Sequence, residues 1–182
     1  MAVRLCVIAS ARTPATRLSA FPRPTEPAEH LPAARPMRVA EALAGPETRC
    51  LQTARALGHP AVPASELADL AAGAWIGRAT EDLLATEPDF PQFLSATDTR
   101  PPGGESAAEV IRRARMFLGD KEFADGRTLL VVAPLVVRAI TVALLDLPAP
   151  TFHRIDVEPL GTLSFDRHGG RWRLRVTDPE RR

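Results

Sequence analysis

The sequence predicts an α/β protein, a three-layer α/β/α sandwich around a mostly parallel central sheet. Three observations carry that expectation. Val3–Ala9 is a short apolar run rich in Val and Ile, the pattern of a buried strand. Thr128–Ala133 is continuously apolar through Leu129, Leu130, Val131 and Val132, as a central strand covered on both faces requires. Helical segments lie between these runs, and two strand-like segments close the chain around Gly169-Gly170; such alternation belongs to layered α/β folds.

In chain order, Val3–Ala9 is the first strand. Arg12–Pro36 carries Pro14, Pro22, Pro24, Pro27, Pro32 and Pro36 without periodicity and reads as a long loop with room for a truncated helix. Val39–Gly45 is placed as the second strand, although its Ala and Glu content suits a helix equally well. Glu47–Leu57 sets Leu51, Ala54 and Leu57 on one helical face, and Gly58 stops it. Arg78–Thr86 reads as a shorter helix ended by Pro88. Pro101-Pro102-Gly103-Gly104 is a turn, after which Ser106 and Glu109 form a capping box opening a helix through Phe117. Thr128–Ala133 is the next strand, and Leu135–Leu147 an apolar helix ended by Pro148. Thr162–Phe165 and Arg171–Val176 flank Asp166–Gly170 as a closing hairpin.

Composition narrows the class. The chain has 182 residues, 45% hydrophobic and 25% charged, which suits a single domain over residues 1–182. Cys6 and Cys50 are too few for a disulfide framework. The apolar run Leu5–Ala9 is too short for a signal-peptide core or a membrane span. A net charge of +1 leaves no footprint for nucleic acid. All but one of the 23 basic residues are arginine, Lys121 being the exception, and Asn and Tyr are absent; this bias reads as genome composition. The expectation is a soluble, cytoplasmic protein without nucleic-acid or membrane partners, its assembly as a homodimer left open. Metal-ligand spacings of His, Cys and carboxylates are missing, so no metal and no cofactor are assigned.

Four segments in a fixed order resemble the histidine phosphatase superfamily, the phosphoglycerate mutase-like fold. Gly45-Pro46-Glu47-Thr48-Arg49-Cys50-Leu51-Gln52-Thr53-Ala54 is similar to its S-P-L-x-R-A-x-Q-T-A, and Gly73–Gly77 to its G-x-W-E-G. Pro101–Ser106 is similar to its P-G-G-E-S, and Thr128–Arg138 to its T-L-L-V-V-x-H-G-G-x-I-R. The hairpin Leu163–Val176 resembles its closing strands. The resemblance implies a phosphate pocket at the carboxyl ends of the strands. There a histidine of an R-H-G motif attacks phosphorus inside a cradle of two arginines and a second histidine, and an acid protonates the leaving oxygen.

This sequence departs from that pattern where the chemistry would sit. The R-H-G position reads Ala9-Ser10-Ala11, the second histidine's place reads Ala133-Pro134-Leu135, and Ile76 replaces the Glu of G-x-W-E-G. Of the basic cluster the resemblance leaves Arg49 alone, and Asp69 falls at the acid position. A nucleophilic Ser10 needs a neighbouring base, yet His30, His59, His153 and His168 match no pocket position. Catalytic residues are therefore unassigned. Candidate ligand- or anion-binding residues are Arg49, Asp69, Ser10, Glu105 and Trp75. Each has a plainer reading: a structural ion pair for Arg49 and Asp69, a strand-end turn for Ser10, a loop-to-helix junction for Glu105, core packing for Trp75.

Three function classes stay open. One is a degenerate phosphatase-like protein that keeps the fold to bind a small ligand or a protein partner. Another is a repurposed enzyme running non-phosphoryl chemistry in the old cleft, in a specialised biosynthetic pathway. The third is residual phosphoryl chemistry through Ser10. The expected cleft is more apolar than a phosphate site, with weak affinity for inorganic phosphate.

Overall fold

The computed structural model of the protein describes residues 3–34 and 37–176. Its strands and α-helices in chain order are β1 (Val3–Ala9), α1 (Pro14–Arg17), β2 (Glu41–Ala44), α2 (Thr48–Ala56), β3 (Val62–Pro63), α3 (Thr80–Thr86), α4 (Phe90–Phe93), α5 (Ala107–Asp120), β4 (Gly126–Val132), α6 (Pro134–Leu144), β5 (Thr162–His168) and β6 (Arg171–Arg175). One sheet holds all six strands in the order β3-β2-β4-β1-β5-β6. Strands β1 to β4 run parallel, β5 runs against β1, and β6 against β5. Ala9 stands opposite Val132, and Ala44 opposite Val131. The carboxyl ends of β1, β2 and β4 therefore finish at one level.

The two central strands are apolar at nearly every position because both faces are covered. Leu5, Val7 and Ala9 of β1 join Leu130 and Val132 of β4 on one face, packed on Val110, Ile111 and Ala114 of α5 and Val136, Val137 and Ile140 of α6. The intervening Cys6, Ile8, Leu129 and Val131 face the other way, onto Cys50, Ala54 and Leu57. Alternation along each strand thus feeds two cores. Helices α5 and α6 form one outer layer and α2 the other, giving the expected sandwich. Among the described residues no helix is long and apolar enough to cross a membrane.

Several expected elements are corrected. The truncated helix expected after Arg12 is α1, opened by a Thr13–Thr16 capping box, while Ala20 and Phe21 add bridges to Ala79 and Ile76 that were not expected. The last two residues of the expected loop, 35 and 36, lie outside the described residues. Helix α3 begins at Thr80, because the Arg78 carbonyl accepts the Phe21 N–H and Ala79 is extended, bridging to Ala20. Helix α6 stops at Leu144, where Leu145 leaves helical geometry before Pro148 is reached. The hairpin strands run on to His168 and Arg171, so the turn is Gly169-Gly170 alone. At Ser106 the capping box forms between the expected residues, with Ser106 accepting the Glu109 N–H and Glu109 accepting the Ser106 N–H.

Candidate functional site

A cleft of about 360 Å³ opens beyond the carboxyl ends of the parallel strands, the usual ligand position in open α/β sheets. Ser10, Ala11 and Arg12 come to it from the end of β1, Arg49 from the first turn of α2, and Asp69, Leu70 and Ala72 from the segment after β3. Pro134, Leu135 and Arg138 come from the start of α6, whose positive dipole end therefore borders the cleft. The proline-rich segment supplies Phe21 and Pro22, and Pro159 closes the wall.

Local hydrogen bonds explain why these groups meet. Thr53 Oγ1 accepts the Ala11 N–H at 2.9 Å and donates to the Arg49 carbonyl at 2.6 Å, tying the loop after β1 to α2. Gln52 Oε1 accepts the Ala28 N–H at 2.8 Å, which docks the proline-rich segment on the same helix. Ser10 is buried, its N–H donating to the Val132 carbonyl at 2.8 Å.

At the floor Arg49, only 2% exposed, donates to Asp69 Oδ2 at 2.5 Å. This is the structural ion pair that is the plainer reading of both residues. Asp69 Oδ1 accepts the Leu70 N–H at 2.8 Å, and Glu47 Oε1 accepts the Asp69 N–H at 2.7 Å. Burial pushes the Asp69 carboxyl above its ordinary value, against the opposing pull of Arg49 and with help from Glu47's charge. The Cys50 thiol, 3.5 Å from Glu47 Oε2, is pushed well up by burial and by Glu47, so it stays protonated and inert. Gly45 makes room for this group: a Cβ there would stand 2.5 Å from Glu47 Oε2 and 2.8 Å from the Leu67 carbonyl.

Two candidates do not reach the cleft. Trp75 is 1% exposed and packs against Phe21, Phe90 and Phe93, with centroids 5.1 Å away for both Phe90 and Phe93; an indole sealed by three rings has no face to offer a ligand. Glu105 is held by Arg113, 2.9 Å away, and lines a different groove. Ala9 is fully buried in the sheet, so only Ser10 and Ala11 of the altered motif reach the surface of the cleft. Ile76 does not line it either.

Arg49 is also not the only arginine present: Arg12 and Arg138 line the same wall. Arg12 is exposed. Arg138 is 23% exposed and lies 3.6 Å from Asp156. Its guanidinium sits over the Phe152 ring, 5.9 Å from the centroid, and its Nε is buried without a partner. The sequence signal for Arg138 was its place one turn into a helix that starts at a strand's carboxyl end. No histidine lines the cleft among the described residues.

A parallel-sheet sandwich with its cleft at the strand ends, walled by the loop after β1 and the starts of two helices, is the architecture of a phosphoglycerate mutase-like protein. The chain belongs to the histidine phosphatase superfamily (branch 1), which it matches over residues 26–178. Among solved structures it is similar to an Escherichia coli protein assigned as an alpha-ribazole-5'-P phosphatase, at 19% identity and a TM-score of 0.83, covering 97% of this chain and 96% of that one. The alpha-ribazole phosphatase from Shigella flexneri is likewise similar, at 19% identity and a TM-score of 0.80, with 95% of each chain covered. So is a mycobacterial glucosyl-3-phosphoglycerate phosphatase, at 19% identity and a TM-score of 0.79, covering 95% of this chain and 97% of that one. No curated protein matches the sequence.

Proposed function

We propose that this chain is a divergent, degenerate member of its superfamily, a single domain that holds a small organic anion in the cleft and does not turn it over through phosphohistidine. The observation that carries this reading is Ser10 at the end of β1, where the family resemblance places the nucleophile, in a cleft lined by no histidine among the described residues. The solved relatives named above are phosphatases; this chain has their fold without the residues that the resemblance makes responsible for attack. Loss of a covalent nucleophile alone costs on the order of 10⁶ in rate. Ser10 gains no substitute base from the cleft lining, and Asp69, the nearest candidate by chemistry, is engaged by Arg49.

A purified sample assayed with p-nitrophenyl phosphate tests the reading. The expected result is hydrolysis no faster than background, in the protein and in Ser10→Ala alike. Turnover that disappears in Ser10→Ala would overturn it in favour of a serine nucleophile.

One observation favours a second reading. Asp69 borders the cleft with a raised pKa, and a perturbed carboxyl in a cleft is a candidate for proton transfer. A repurposed enzyme using Asp69 for non-phosphoryl chemistry would convert some metabolite in a turnover screen and lose that conversion in Asp69→Asn.

A further inference from the structure

The charged end of the cleft's ligand needs a cation that is not already satisfied, and here the three arginines differ. We propose that Arg138, not Arg49, anchors the ligand, and that the ligand is a small monocarboxylic acid whose apolar body lies along Phe21, Leu70, Leu135 and Pro159. The inference rests on the reading of the cleft as a ligand site and names the ligand's class.

Arg49 is committed. It is buried, Asp69 balances its charge, and a second donor nitrogen reaches the Arg23 carbonyl at 3.4 Å. An incoming anion would have to displace a carboxylate that Leu70 and Glu47 hold in place. Arg138 is the opposite case. Its one ion-pair partner among the described residues, Asp156, is 95% exposed and stands 3.6 Å away. Its Nε is buried and unpartnered, and a guanidinium cannot relieve that by losing its proton. The Phe152 ring lies 5.9 Å from its guanidinium, and a guanidinium offers the two-pronged geometry that suits a carboxylate.

The charge balance selects a monoanion. A phosphate monoester carries nearly two charges and needs a second free cation close by, a role that Arg49 no longer offers while Asp69 is ionised. Arg12, exposed at the mouth, adds attraction without a fixed geometry. Phe21, Pro22, Leu70, Leu135 and Pro159 give the wall an apolar stretch, beside the hydroxyls of Ser10, Thr16, Ser19 and Thr80. A cleft of about 360 Å³ with one unsatisfied charge and an apolar stretch of wall fits a compact aryl or branched-alkyl acid.

Titration calorimetry with phenylacetate, phenylacetamide and acetate tests this. Phenylacetate is expected to bind at least about tenfold more tightly than its neutral amide, the worth of one charge-assisted contact, and more tightly than acetate. Arg138→Gln should weaken phenylacetate about tenfold or more without weakening phenylacetamide. Asp156→Asn, which removes a competing but exposed carboxylate, should tighten phenylacetate by up to about fivefold. If Arg138→Gln does not fold, Asp156→Asn decides alone, because an exposed side chain leaves the fold intact. Equal binding of acid and amide, no binding of any probe, or an affinity indifferent to Asp156→Asn would overturn the proposal. None of these outcomes touches the loss of phosphohistidine chemistry, which the p-nitrophenyl phosphate assay judges separately.

Discussion

Replacing Arg49 by methionine keeps most of its volume and removes its charge, and the consequence should depend on pH. Arg49 is 2% exposed and Asp69 18% exposed, with Glu47 buried behind them. Arg49→Met leaves two carboxyls facing a low-dielectric floor without their cation. Removing one partner of a buried pair costs about 3–5 kcal/mol. In a chain of this length each kcal/mol moves the unfolding midpoint by about 2–4 °C, so the loss near neutral pH is roughly 6–20 °C. The sign with pH follows from the raised Asp69 pKa. A carboxyl with a folded-state pKa above its unfolded value, about 3.9, stabilises the fold most below that value. Its contribution fades as pH rises through the folded value. Without Arg49 the main pull against the upward push on Asp69 is gone and only the Leu70 N–H remains, so the fade is larger in the variant. The Cys50 thiol is neutral throughout and adds nothing to the change. Thermal unfolding followed by circular dichroism, at about pH 4.5 and about pH 8, measures both terms. A deficit of the same size at both pH values would refute the reasoning and assign the cost to packing.

Ser106→Ala removes the α5 cap and should cost about 1 kcal/mol, read as a lower midpoint in urea unfolding with unchanged slope. Gly73→Ala should cost more than about 1 kcal/mol, because φ is +51° and the new Cβ would stand 2.2 Å from the Pro102 carbonyl oxygen; an unchanged thermal midpoint would contradict this. His153 should titrate below its ordinary value in an NMR pH series, since burial and then the Arg138 charge disfavour its imidazolium. In Arg138→Gln its titration should move back up.

Much of the layered fold was legible because strand burial is written in composition. Leu129 to Val132 have no polar member, and only a strand covered on both faces tolerates that. The Ser106–Glu109 cap was legible for a different reason, since its chemistry is local to four residues. Sheet order was not readable: nothing near Val3 or Gly126 announces that β1 and β4 pair. The site was legible where a motif carried it, at Arg49 and Asp69. Glu47 and Arg138 lay inside matched segments without being assigned a role, and Arg12 lay outside them; topology sets all three around Arg49, and an arginine-rich chain hides the individual arginines that matter. Trp75 and Glu105 sit in motifs that the resemblance sets around the cleft, but Phe21, from a distant segment, packs on the indole and Arg113, two turns along the following helix, holds the carboxylate.

Strand β6 is one border of the sheet, with no further strand beside it among the described residues, and such a border invites another chain to join. Arg171, Arg173 and Arg175 alternate along it and are exposed; Asp166 on the neighbouring strand offsets Arg175, 3.1 Å away. A second copy joining antiparallel would set two such rows against each other, and like charges directly opposite repel. The border is thereby insulated against its own kind. Concentrated salt shortens the reach of charge to about 3 Å at 1 M, so saline solutions strip that insulation and expose the β6 border to strand addition.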